Sequence, residues 1–192
     1  MALFVLLTQT SWGFASLNTG LDDMVLDFSI AYFIVDLLHY LILIPGDYLF
    51  IAHHLATLFV FITCRYLVRH GAFALIVLLT LAEVTSPCQN IWTLSRLWQT
   101  ESPNAAKLHQ FLSLPFYALY TLMRGFAGPV FFYKMSAYYL SGEADDVIPS
   151  WLSILWIIVI GGAIGVSILW ISSHWAEFYR KSRDNVEKKK LR

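Results

Sequence analysis

Apolar stretches of membrane-crossing length are what most constrain this chain. Five are clear: about Asp27 to Ile44, Leu49 to Val68, Ala72 to Leu94, Phe111 to Phe132 and Trp151 to Ser173. A helical span needs roughly 20 mostly apolar residues, so each stretch predicts one transmembrane helix. Met1–Ala15 lacks the positive leading region of a signal peptide and reads as a short or truncated first membrane segment. The breaks are made of turn-forming residues: Pro45-Gly46-Asp47, Arg69-His70-Gly71, the polar stretch Gln99–Lys107 and the acidic Ser141–Pro149. The expected fold is an all-α membrane protein, an antiparallel bundle of five spans plus a partial N-terminal one. Its expected organisation is a partial membrane segment and loop at 1–26, one helical domain at 27–176 and a basic cytosolic tail at 177–192.

Composition supports the same class. The 192 residues are 58% hydrophobic and only 14% charged, against about 25% charged in soluble domains. The net charge is +0, but it is unevenly spread. No Lys or Arg precedes Arg65, whereas the stretch from Arg180 onward is densely basic. By the positive-inside rule this tail and the Gln99–Lys107 loop are cytosolic, and the Ser141–Pro149 loop and Asp22-Asp23 lie opposite. Arg65 and Arg69 run against that assignment. Lys189-Lys190-Leu191-Arg192 resembles a dilysine endoplasmic-reticulum retrieval signal; a solvated charge run meeting anionic headgroups is the alternative. The expected partners are membrane lipids and not nucleic acid. Cys64 and Cys88 both lie in apolar runs, which leaves no disulfide or zinc framework.

Polar residues inside the apolar runs are the candidate functional groups, because such residues usually face a bundle interior, a cavity or a reaction centre. They are Asp36 and His39, the pair His53-His54, Glu83, Gln89, Asn90 and Arg124. Depth follows from a rise of about 1.5 Å per residue. Reflection through the Pro45–Asp47 turn sets His39 opposite His54, with Asp36 one turn deeper near Thr57–Leu58. Reflection through Arg69–Gly71 brings Glu83 to that depth, and Arg124 follows through the Gln99–Lys107 loop. One or two polar layers drawn from four helices are therefore expected.

Each member has a structural and a functional reading. Arg124 and Glu83 make a structural ion pair or line a site. His39 bonds a neighbouring helix or joins the layer. Asp36 orients or charge-balances a histidine, or accepts a proton. Gln89 and Asn90 read as interhelical glue. His53 and His54 point about 100° apart, so one faces a cavity while the other supports it. A metal centre of Asp36, His39, His53 and His54 is a further alternative, although the six histidines form no HxxxH or HxxHH box; no metal is expected. Gly161 and Gly165 form a GxxxG step, for close helix packing or a homo-oligomer seam.

The segments FSIAYFIVDLLHYL, PGDYLFIAHHLATL and LAEVTSPCQNIW together resemble the TLC-domain (TRAM, Lag1, CLN8 homology) superfamily, over roughly Asp27 to Ser173. The chain looks most similar to the small plant-type members. The resemblance implies an antiparallel membrane bundle enclosing a lipid-accessible cavity. In the ceramide synthases of this superfamily, paired histidines are catalytic in acyl-CoA-dependent N-acylation of sphingoid bases. His53-His54 match that pair, and Asp36 matches the acidic position of the preceding helix. The acidic residues and longer segment that follow the histidines in those enzymes have no match here. The resemblance thus implies a protein of the endoplasmic reticulum that binds or handles lipid in sphingolipid and membrane-lipid homeostasis, without a cofactor. The alternative is an N-acyltransferase with acyl-CoA as co-substrate, and His53, His54 and Asp36 as its catalytic residues.

Overall fold

The computed structural model describes residues 2–8 and 13–190. The described residues are helical throughout, apart from turns and one isolated bridge between Leu17 and His70. The elements are α1 (Ala2–Thr8), α2 (Gly20–Leu43), α3 (Tyr48–Ile62), α4 (Ala72–Glu83), α5 (Ser86–Leu97), α6 (Pro103–Tyr120), α7 (Gly128–Leu140) and α8 (Ser150–Lys190). A π-helical segment, Thr63–Val68, prolongs α3, and another, Thr121–Ala127, joins α6 to α7.

Four helical runs are long and apolar enough to cross a membrane: Gly20–Leu43, Tyr48–Val68, Ala72–Leu97 and Ser150–Arg180. The remaining expected span, Phe111 to Phe132, falls in the consecutive helical elements from Pro103 to Leu140, which are not among them. Lys107, His109, Gln110, Arg124 and Lys134 dilute their apolar content. The exposed surface of α2 carries Tyr32, Ile34, Val35, Leu38, Leu41 and Ile42. Such a contiguous apolar face suits hydrocarbon rather than water.

α2 begins at Gly20, seven residues before the expected span. Thr19 accepts from the Asp22 backbone, and the Asp22 carboxylate accepts from the Thr19 backbone N–H at 2.8 Å. This reciprocal cap satisfies two of the orphan donors of the first turn. Asp22 is thereby buried and Asp23 sits inside the helix, where counting apolar residues alone had left both in a loop.

The chain divides into two compact units, Met1–Thr80 with Val130–Ala163, and Leu81–Pro129 with Ile164–Arg192. The first unit packs Val25, Leu26, Ile30, Phe33 and Leu37 of α2 against Leu58 and Phe61 of α3, with Met135, Tyr139 and Trp156. Residues 13–19 lie along the turn after α3. Gly71 N–H donates to the Ser16 carbonyl at 3.0 Å, and Asn18 bridges the Cys64 carbonyl and the Ala72 N–H. Gly71 has φ +86°, and a Cβ there would stand 3.1–3.2 Å from Tyr139 Oη, Ile148 and the Phe14 carbonyl. Gly71→Ala combines a left-handed backbone, which costs about 1–2 kcal/mol in an L-residue, with this crowding. Chemical denaturation in detergent should register a loss of at least that size; an unchanged midpoint would contradict the packing.

The second unit is built on Trp92, Phe116, Tyr117 and Tyr120, with Trp170, Trp175 and Phe178 of α8 against them. A shared device anchors both π-helical segments. Thr63 donates its hydroxyl to the Phe59 carbonyl at 2.7 Å and accepts the Trp156 indole N–H at 2.9 Å. Thr121 donates to the Tyr117 carbonyl at 2.7 Å and accepts from the Trp175 indole at 2.9 Å. Each threonine stands at the first residue of its π-helical segment, bonds back one turn through its hydroxyl, and so links the start of the widened turn to a tryptophan of α8.

Candidate functional site

Asp36 and His54 meet between α2 and α3. His54 Nε2 lies 2.6 Å from Asp36 Oδ2, and His54 Nδ1 lies 2.7 Å from the Phe50 carbonyl. A carbonyl only accepts, so Nδ1 must carry a proton. The proton on the other side is then shared between Nε2 and the carboxylate. Either an imidazolium faces a carboxylate or a neutral imidazole accepts from a carboxylic acid. The pair is neutral overall in both forms.

Aromatic rings fix the imidazole. Phe33 meets it edge-on at a centroid distance of 5.3 Å, and Tyr40 lies 5.5 Å away, itself stacked on Phe50 at 5.2 Å. The side chain of His54 is 5% exposed and that of Asp36 34%. The carboxylate is therefore the reachable end of the pair. Chemically the arrangement can hold or pass one proton and can offer a hydrogen-bonding edge to a polar group arriving from the lipid.

The other residues expected from the sequence are placed as follows. His53 is exposed and touches His54 and Phe33 by ring contacts at 5.6 and 6.4 Å. Of the histidine pair it is thus His54 that is buried and His53 that faces outward. His39 does not stand opposite His54. It is exposed and lies edge-on to Tyr40. The reason is helical phase: at 100° per residue, Asp36 falls roughly 80° from the middle of the buried Phe33–Leu37 stripe and His39 roughly 140°. The α2–α3 reflection also centres on Pro45, which brings Asp36 level with His54. A four-residue metal centre is accordingly not assembled, since His39 turns away from the pair.

In the second unit Arg124 reaches the depth expected of it but not the partner. It donates Nη2 to the Ala82 carbonyl at 2.8 Å and Nε to Thr85 Oγ1 at 3.3 Å. Glu83 is exposed and forms no ion pair with it. The backbone explains this. The helix breaks after Glu83, and Pro87 has no N–H for the Glu83 carbonyl, so the broken turn supplies acceptors that compete for the guanidinium. Gln89 is half-buried and Asn90 exposed, and among the described residues neither side chain bonds another helix. Gly161 packs against Phe132, its notional Cβ 3.2 Å from the ring, while Gly165 faces open space. The Lys189 and Lys190 side chains, with Leu191 and Arg192, lie outside the described residues.

A second polar cluster escaped the sequence reading. Arg65 donates Nε and Nη2 to the two oxygens of Asp27 at 2.9 and 3.0 Å, and Nη1 lies 3.3 Å from Asp23. Tyr66 donates its hydroxyl to Asp27 at 2.8 Å. Arg65, one of the two arginines that run against the expected orientation, thus has its counter-ions supplied by α2. A reflection centred on Gly46, one residue on from the one that joins Asp36 to His54, pairs Asp27 with Arg65, and that was the available signal.

With two spans joined by an Asp–His pair and flanked by helices of membrane-crossing length, the comparison with known proteins becomes decisive. A model of the TLC domain matches residues 1–176. The chain belongs to the TLC-domain family. A TLC domain-containing protein of Arabidopsis thaliana is 53% identical over 194 residues, which is 98% of this chain and 76% of that protein. No solved structure matches. As a multi-pass TLC-domain protein the chain falls in a family of membrane proteins linked to lipid metabolism, and the match covers all of α2 to α7 and most of the apolar part of α8.

Proposed function

We propose that this TLC-domain protein binds and hands on membrane lipid at the Asp36–His54 pair, and so influences membrane lipid composition. The observation that carries the proposal is the 2.6 Å Asp36–His54 contact, with Asp36 one-third exposed among outward-facing apolar side chains of α2. A carboxylate held in that setting gives a lipid hydroxyl, amide or amine a hydrogen-bonding partner while the tail stays in hydrocarbon. The endoplasmic reticulum as the membrane concerned is part of the same proposal.

Acyl transfer is the second reading, favoured by one feature. A carboxylate bonded to an imidazole is the base-and-orienter arrangement of nucleophilic catalysis. As an amine forms its C–N bond with the carbonyl of an acyl thioester and the C–S bond breaks, the pair would take the amine's proton and pass it to the leaving thiolate. Both nitrogens of His54 are already engaged, so that proton would enter through Asp36 or require the Nε2 contact to open.

Asp36→Asn separates the readings. An amide N–H can donate to Nε2 of neutral His54, so packing and a polar edge survive, but no proton is left to share. A lipid handler carrying this variant should still restore the lipid profile of cells lacking the protein. An acyltransferase should lose about 10²–10⁴-fold in turnover, the usual contribution of a general acid–base group. Loss of rescue with normal expression and folding would overturn the lipid-handling proposal in favour of catalysis.

A further inference from the structure

We infer that Arg124 is an intramembrane oxyanion site, taking the carboxylate of a fatty acid or the phosphate of an anionic lipid. The inference extends the lipid-handling reading by naming the charged group of the ligand, but it uses neither Asp36 nor His54.

Three observations carry it. The first is charge. Both acceptors of Arg124, the Ala82 carbonyl and the Thr85 hydroxyl, are neutral, and among the described residues no carboxylate pairs with it. Its guanidinium has five N–H donors and the two bonds use only two of them. The Tyr120 ring, 5.0 Å from Cζ, stabilises the cation without neutralising it. An uncompensated charge in a membrane is expensive and marks a functional position. Holding the Ala82 carbonyl would not by itself require a permanent cation, since a neutral donor would serve.

The second observation is backbone. Arg124 sits within the π-helical segment Thr121–Ala127, and its acceptors sit at the break between α4 and α5. Irregular backbone at membrane depth is tolerated where it is buried in protein or lines a cavity, and π turns recur at functional sites. Two such irregularities converge on one guanidinium.

The third is position. Ala82 lies ten residues from one end of the candidate span Ala72–Leu97 and fifteen from the other, or about 15 and 22 Å at helical rise. Arg124 therefore acts well below the headgroups. Val84 of the break, between the Arg124 acceptors Ala82 and Thr85, is exposed, and Arg124 itself is half-buried. An amphiphile can lay its tail on Val84 while its oxyanion meets the planar fork, which matches carboxylate and phosphate geometry.

The test uses the full chain in phosphatidylcholine nanodiscs, offered isotopically labelled oleate, phosphatidic acid or diacylglycerol in separate arms. Retained lipid is counted by native mass spectrometry. Retention of oleate or phosphatidic acid should exceed that of diacylglycerol, and the arm that does so identifies the source of the oxyanion. Arg124→Gln should lower anion retention at least about tenfold, the scale of a lost charge-assisted hydrogen bond, and leave diacylglycerol unchanged. Should that variant fail to fold, Arg124→Lys keeps the charge without the fork and should weaken retention without abolishing it. Equal retention of all three lipids by the native chain, or anion retention indifferent to both substitutions, would overturn the inference. Diacylglycerol binding without anion preference would overturn it while leaving the lipid-handling reading standing.

Discussion

His54→Ala should destabilise the protein severely, and His53→Ala hardly at all, although the two residues are adjacent and chemically identical. His54 is the buried member, and both its ring nitrogens are bonded. Its removal leaves the Asp36 carboxylate facing a cavity among Phe33, Tyr40 and Phe50. Breaking a buried charged pair costs about 3–5 kcal/mol, and the partial exposure of Asp36 puts the expected loss toward the lower end. His53 is exposed, and its alanine variant should stay within about 1 kcal/mol of the native chain. Unfolding midpoints of the two variants in one detergent would decide this. Equal losses would mean that the assignment of inner and outer histidine is wrong.

The second large effect concerns the clasp at Thr63. Thr63→Val removes the acceptor of the Trp156 indole, a side chain with no exposure, and strands its N–H in the core. A buried donor left without a partner costs about 1–3 kcal/mol. Trp156→Phe deletes that donor, so adding Thr63→Val to it should cost little more. A double-mutant cycle should therefore show coupling of about 1–3 kcal/mol. Strict additivity would show that the hydroxyl–indole contact contributes nothing to holding the π-helical turn.

These predictions rest on features that differed in how readable they were. The approximate positions of four membrane-length helical runs follow from hydrophobic stretches, because the bilayer demands length and leaves little else to vary. The run Phe111 to Phe132 is harder: polar residues are spread along the helical elements that carry it, and composition alone does not separate a polar span from a polar loop. Asp36 and His54 were recognisable as candidates because ionisable groups in hydrocarbon are rare. That Asp36 orients a histidine is among the expected roles. Centring the reflection within Pro45–Asp47 rather than on Pro45, however, sets it about one turn too deep, and His39 takes its place opposite His54 only if the side of α2 that each residue faces is ignored. Phe33 and Leu37 held that answer, as the centre of the buried stripe.

Arg124 illustrates a different limit. Its level beside residues 82–85 could be estimated from the connecting loops, but its partner could not. Opposite charges at equal depth suggested Glu83, whereas the break at Val84–Thr85 offers a carbonyl and a hydroxyl instead. Backbone acceptors freed by a helix interruption leave no mark in residue identity beyond Pro87. The cap at Thr19 was, by contrast, fully legible as Thr-x-x-Asp, and it was lost only because counting apolar residues ignores it.

The cross-helix pairs of α2 and α3 also bear on how the protein enters its membrane. Asp27 is neutralised by Arg65, 38 residues later, and Asp36 by His54, 18 residues later. While α2 alone has emerged from the ribosome, its carboxylates have no counter-charge. Release into lipid at that stage would expose Asp36 and Asp27 bare, a cost of several kcal/mol each. Once α3 is synthesised, the hairpin carries its own compensation. Biogenesis is thus expected to proceed by co-insertion, with α2 waiting in a sheltered site of the insertion machinery until Arg65 arrives.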